Sequence, residues 1–208
     1  MVNALLVFEW ITFMVSLIFF RQLKKQGLLF ITILMAVIVI SEGVGKLNQS
    51  FKFIKSVYWF NIMIPVQFLC LFFLFHMNTS YPYWRTVIKV FSIIVTGLTV
   101  FYLVTPGPLT FNVLNYTIGT IFISACCLHY LYECMNSRSI ITVHKNALFY
   151  LALGTLLYYL GTLPLHSMRT YLYYNYRTIF YTYNTLNYVL NMLMYGLITF
   201  GILWAQKK

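Results

Sequence analysis

The chain has 208 residues, of which 61% are hydrophobic and only 8% charged. A soluble domain carries about 25% charged residues. The composition of the chain therefore excludes a water-soluble domain. The chain has 14 Lys and Arg residues against three acids, and it has no aspartate. These basic residues fall between apolar runs, as in loops that flank membrane helices. They do not form the single basic face of a nucleic-acid-binding protein. We therefore expect contacts with a lipid bilayer and no direct DNA binding.

Seven apolar runs follow one another along the chain, each near the length of about 20 residues that a helix needs to cross a bilayer. They predict an all-α fold, a polytopic bundle of seven transmembrane helices in a single domain over residues 1–208, with six or eight helices as alternatives. The stretch Pro164–Thr178 is predicted to be an aromatic interfacial loop. The predicted helices are Val2–Phe20, Gly27–Gly45, Val57–Met77, Thr86–Val104, Asn112–Tyr132, Asn146–Leu163 and Ile179–Trp204.

The distribution of Lys and Arg predicts the orientation of the bundle, because cytoplasmic loops are enriched in these residues. An N-terminus outside and a C-terminus in the cytoplasm give the larger basic count to the inner side. The inner residues are then Arg21, Lys24, Lys25, Arg85, Lys89, Arg138, Lys145, Lys207 and Lys208, and the outer ones are Lys46, Lys52, Lys55, Arg169 and Arg177.

Polar side chains within the predicted spans are the candidate functional residues, since they are costly in lipid and often line ligand or ion pathways. Three asparagines of the last helix recur every three or four residues and so share one face. We predict an outward-facing polar cavity, with Arg169 and Arg177 of the adjoining loop as charge partners. Its candidate lining residues are Glu9, Glu42, Asn61, Asn184, Asn187 and Asn191.

A structural role for the same residues is the alternative. Amide side chains can hydrogen bond between membrane helices, each contributing about 0.6–2 kcal/mol. The glutamates favour a cavity, because a carboxyl group inside a membrane must be protonated, paired or hydrated.

A second polar group lies at the predicted inner side, where His129 and Glu133 are four residues apart on one helix and Cys126 precedes them by one turn. Such ligands could begin a metal site, but a hydrogen-bonded His–Glu pair is the simpler prediction, and we expect no metal and no cofactor. Sequence motifs of hydrolases, zinc proteases and P-loop enzymes are absent. We therefore expect no enzymatic activity. The last predicted helix, Ile179–Trp204, also lacks the lysine with which retinal forms a Schiff base, so the sequence does not predict a photoreceptor.

Motifs spread over most of the chain resemble a family of small seven-helix bacterial membrane proteins. Relatives of this type include the membrane protein encoded beside the RNA-guided RNase of type VI-B CRISPR loci. The motifs are Ser41-Glu42, Tyr58-Trp59-Phe60-Asn61, Gln67-Phe68, Leu148-Phe149-Tyr150 with Gly154, Tyr158 and Gly161-Thr162-Leu163, Leu186-Asn187-Tyr188-Val189-Leu190-Asn191, and Ile202-Leu203-Trp204.

The resemblance implies a non-enzymatic accessory or effector of antiviral defence in the bacterial inner membrane, with a cytosolic nuclease as its partner. The residues themselves leave two alternatives open. One is a sensory module whose outward-facing pocket binds a ligand and acts on a signalling partner, and the other is a small-molecule transporter. A homo-oligomer is compatible with all three.

Overall fold

The computed structural model describes residues 2–51, 56–105, 111–136 and 146–205, and this part of the chain is helical without any strand. The all-α fold predicted from the apolar runs is confirmed. The long helices are α1 (Val2–Ile18), α3 (Leu29–Phe51), α4 (Ser56–Asn78), α5 (Pro82–Val104), α6 (Val113–Asn136), α7 (Ala147–Ser167) and α9 (Arg177–Trp204), and the short ones are α2 (Phe20–Lys25) and α8 (Arg169–Asn175).

Six of these helices, α3 to α7 and α9, are long and apolar enough to cross a membrane, and α1 carries the shorter apolar segment Ala4–Ile18. Large apolar side chains also cover the outer surface, for example Ile93, Phe101 and Val104, which expose 72%, 68% and 76% of their area. Such a surface suits lipid and not water. The protein is therefore a multi-spanning α-helical membrane protein with six to seven spans.

The orientation across the bilayer stays a prediction. Several of the basic residues on which it rests lie outside the described residues, namely Lys52, Lys55, Arg138, Lys145, Lys207 and Lys208.

Several helix ends differ from the predicted ones, by up to six residues, and those of α3 and α7 have a clear physical reason. Helix α3 continues to Phe51, beyond the predicted end at Gly45, because hydropathy reports where the lipid ends and not where backbone hydrogen bonding ends. Helix α7 runs through Pro164 to Ser167, and the predicted loop that follows is largely the helix α8. A proline removes one backbone hydrogen bond, which neighbouring groups can compensate inside a membrane protein. Pro65 is accommodated inside α4 in the same way.

The long helices form a closed ring with one helix outside it. Around the ring, each of α1, α3, α4, α6, α7 and α9 packs against the next, and α9 returns to α1. Helix α5 packs on α4 and α6 at the periphery, and only 11% of its span is buried. Apolar and aromatic side chains pack between the ring helices, where Phe68 contacts the rings of Tyr159 and Phe72 at centroid distances of 5.6 and 6.4 Å.

Small residues and hydroxyl groups bring neighbouring helices of the ring together. A Cβ atom added at Gly154 of α7 would lie 3.2 Å from the Cα and carbonyl oxygen of Met194 on α9. The two backbones are thus in near contact, as is common for small residues between membrane helices. The hydroxyl groups of Thr12 and Thr199, 2.8 Å apart, join α1 to α9.

Candidate ligand-binding cavity

A cavity of about 710 Å³ lies inside the ring and is lined by all six ring helices. It extends from the end of the bundle at which α3 and α7 end and α4 and α9 begin into the middle of the helices. Small-molecule sites have volumes of about 300–1,000 Å³, so the cavity has the size of a ligand site. Its polar lining residues are Glu9, Ser41, Glu42, Gln67, Thr155, His166, Asn184, Asn187, Asn191 and the tyrosines Tyr116, Tyr158, Tyr159, Tyr188 and Tyr195.

The structure brings five of the six candidate lining residues together. Residues from α1, α3 and α9, which are far apart in the sequence, meet at this cavity because the ring closes between α9 and α1. The five are Glu9, Glu42, Asn184, Asn187 and Asn191.

Glu9 is the most deeply buried acid of the described chain, with 2% of its surface exposed. The hydroxyl group of Tyr195 lies within hydrogen-bonding reach of its carboxyl group. Its Oε2 atom is buried without a hydrogen-bond partner in the part that the structure describes. Glu9 therefore presents an unused acceptor to the cavity.

Glu42 is half-buried and lies on α3 beside a hydrogen bond between helices. The indole Nε1–H of Trp59 on α4 donates to the carbonyl oxygen of Ser41 at 3.0 Å. This bond fixes α3 against α4 at the level of the cavity. The carboxyl groups of Glu9 and Glu42 are close enough to interact electrostatically.

Two buried asparagine oxygens of α9 make no hydrogen bonds between helices in the part of the chain that the structure describes. The Oδ1 atoms of Asn187 and Asn191 are buried and accept no hydrogen bond from the described residues. A buried polar atom without a partner costs about 1–3 kcal/mol. These oxygens therefore contribute acceptors to the cavity and not links between helices.

Asn61 lies beside the cavity and does not line it. Its Oδ1 atom accepts the backbone N–H of Asn112 at 3.0 Å. Asn115 continues this structural group, since its Nδ2 donates to the hydroxyl group of Thr99 at 2.8 Å. Here the structural alternative describes the amides better than the cavity does.

Of the two predicted charge partners, Arg177 does not lie against the glutamates. The guanidinium of Arg177 lies over the ring of Tyr173, 5.6 Å from its centroid, and does not line the cavity. The side chain of Arg169 lies outside the described residues. The basic group that acts on both glutamates is instead Lys46, which is exposed and one turn after Glu42 on α3.

The second polar group, at the opposite end of the bundle, forms a clamp between α6 and the α4–α5 connection. Glu133 accepts hydrogen bonds from the hydroxyl group of Thr79 and from the backbone N–H of Ser80 at 3.1 Å. Its Oε1 lies 2.8 Å from Nε2 of His129, whose ring stacks on Trp84 at 4.3 Å. We call these residues the Glu133 clamp. The described residues contain no group of three or more metal-ligating side chains.

The cavity has lining residues that the sequence analysis missed. Tyr195 continues the asparagine face of α9 by one more turn, and this spacing was available in the sequence. On α7 the polar residues Thr155, Tyr159 and His166 recur at helical spacing along the lining. His166 is not predicted from the sequence, because Pro164 predicts a loop at this position, whereas α7 continues past Pro164.

Comparison with known proteins adds no further assignment. No protein-family model, no curated protein and no solved structure matches the chain. The fold and the cavity define its class, which is a multi-spanning helical membrane protein with a polar cavity inside its helix bundle.

Proposed function

We propose that the protein is a membrane receptor that binds a small molecule in the cavity of the helix ring. One observation carries this proposal. The cavity has the volume of a ligand site, and its wall presents the buried oxygens of Glu9, Asn187 and Asn191 without partners in the described chain. Polar groups inside a membrane commonly mark ligand pathways. We place the receptor in the bacterial inner membrane.

Ligand binding would act on the arrangement of the helices. A ligand in the cavity touches α1, α3 and α9 at once, so it favours the arrangement in which these helices lie closest to it. The Glu133 clamp holds the other end of the bundle. A signalling partner would detect the changed arrangement of the helices around the cavity.

The proposal predicts that water-soluble molecules reach the cavity. We compare the cysteines introduced by Asn187→Cys and Val189→Cys in their reaction with a small methanethiosulfonate reagent in native membranes. The cysteine at position 187 should react more than about tenfold faster, because a thiol on the lipid side, at position 189, does not ionise readily. Val189 is a matched control, since it lies on the same helix and exposes 49% of its surface to the lipid side.

Both variants are made in a background in which alanine replaces Cys70, Cys126, Cys127 and Cys134. Labelling is followed by mass spectrometry, and size-exclusion chromatography checks that each variant is folded. Equal, slow labelling at both positions would show that the cavity is closed to water and would contradict the proposal.

The role in antiviral defence rests on the resemblance alone and stays a prediction. If it is correct, expression together with the RNA-guided nuclease of a type VI-B locus changes phage survival, and expression of either protein alone does not give this change. Plaque counts that stay unchanged, with the protein present in the membrane fraction, would reject it.

A further inference from the structure

The acids of this chain are unevenly placed. The sequence has three acids against 14 Lys and Arg, yet two of the three, Glu9 and Glu42, line one cavity. The third, Glu133, is used by the clamp at the opposite end. Among the described residues, no Lys or Arg side chain lines the cavity. Its interior is therefore the acidic site of a basic protein.

Three buried oxygen atoms in the cavity wall are hydrogen-bond acceptors without a partner in the described chain. Glu9 is 2% exposed and its Oε2 atom has no partner in the described chain. The buried Oδ1 atoms of Asn187 and Asn191 likewise accept no hydrogen bond from the described residues. A ligand that satisfies these atoms has to supply hydrogen-bond donors or a positive charge, because two acceptors cannot pair with each other.

Aromatic side chains line the same cavity as these acceptors. They attract a cation to their faces, and rings arranged around a site are a known means of binding quaternary ammonium groups. The rings include those of Phe60, Tyr116, Tyr158, Tyr159, Tyr188 and Tyr195.

A bare metal ion fits the cavity poorly. Calcium and magnesium need six or more oxygen ligands close around the ion, whereas this cavity measures about 710 Å³ and has a largely aromatic and aliphatic wall. The described residues also contain no group of three or more His, Cys, Asp or Glu side chains suited to a metal.

We infer that the ligand of the cavity is a small organic cation, an amine or quaternary ammonium compound with an apolar body. This inference rests on the proposed receptor function and names its ligand class. The carboxyl groups of Glu9 and Glu42 supply the opposite charge, and the aromatic rings receive the apolar body. The exposed ammonium of Lys46, which acts on Glu42, competes with the ligand for the same carboxyl group.

The test compares three probes of similar shape that differ in charge. They are benzyltrimethylammonium, its uncharged isostere 2,2-dimethylpropylbenzene and the anion benzenesulfonate. Binding to the full chain in lipid nanodiscs is measured by calorimetric titration. We expect the cation to bind about tenfold or more tightly than the isostere, because a charge-assisted contact is stronger than a neutral one, and the anion not to bind.

Variants separate charge recognition from folding. Glu9→Gln and Glu42→Gln keep the shape of the side chain and should each weaken binding of the cation about tenfold, with no effect on binding of the isostere. Lys46→Gln should tighten binding of the cation, since it removes the competing charge. Glu133→Gln is the matched control, and it should leave the affinity unchanged even where it lowers the melting temperature.

Two failures can be told apart. Equal binding of the cation and the isostere, or no loss of cation affinity in Glu9→Gln and Glu42→Gln proteins that melt normally, overturns the cationic ligand and leaves the receptor proposal in place. Absence of cation binding at every soluble concentration also overturns it. If in addition the thiol reagent does not reach position 187, the receptor proposal itself fails.

Discussion

Replacing Gly154 by leucine is expected to separate α7 from α9 and to lower the free energy of unfolding by about 3 kcal/mol, the upper end of what overpacking typically costs. A Cβ atom at this position would lie 3.2 Å from backbone atoms of Met194. Backbone atoms cannot avoid the contact by a change of rotamer, as a flexible side chain can. The leucine therefore has to push α7 and α9 apart. Thermal unfolding of the purified protein in detergent measures the loss.

Two other glycines serve as controls for this substitution. A Cβ atom added at Gly196 or at Gly97 meets nothing within 4 Å. Gly196→Ala and Gly97→Ala should therefore keep the stability or raise it by about 0.5–1 kcal/mol, because glycine weakens a helix interior relative to alanine. A Gly154→Leu protein that melts like these controls would contradict the close contact between α7 and α9.

Glu9 and Glu133 should respond to substitution with opposite effects on stability. Glu133→Leu should lower the free energy of unfolding by about 2–4 kcal/mol, because it leaves the hydroxyl group of Thr79 and the N–H of Ser80 without their acceptor. Glu9→Gln should leave the stability unchanged or raise it, since Oε2 of Glu9 has no partner to lose and the cost of burying a carboxyl group disappears.

The measurement is the melting temperature of both variants, followed by circular dichroism in the same detergent. Glu133→Gln adds an intermediate case, because its amide keeps one oxygen acceptor for the hydroxyl group of Thr79. Equal losses in the Glu9→Gln and Glu133→Leu proteins would show that Glu9 has a structural role and would remove the main support for the cavity as a ligand site.

The helices could be predicted from the sequence because each is an apolar run of bilayer length. Their ends could not, since hydropathy changes at the lipid boundary, whereas the hydrogen-bonded backbone of α3 continues to Phe51 and that of α7 continues past Pro164. The extension of α7 also explains why His166, placed in a loop by the sequence, lies in the wall of the cavity.

The candidate site could be predicted as far as a single helix determines it. The spacing of Asn187 and Asn191 defines one face of α9, and the order of the helices gives Glu9 and Glu42 a similar depth. Which helices meet depends on packing, such as the approach of Gly154 to Met194, and no periodicity contains that information. Asn61 shows the limit, since its type and depth suit the cavity but its side chain bonds to Asn112.

Two prolines inside described helices give the bundle an uneven stiffness along its length. Pro65 and Pro164 each interrupt the hydrogen-bond ladder of a helix. The segments beyond them, toward the cavity end, carry lining residues such as Phe60 and His166. The far end is held by Glu133. Missing hydrogen bonds at the prolines make the helix segments around the cavity easier to deform than the end held by Glu133, so these short segments can adjust to a bound molecule while whole helices keep their places in the lipid.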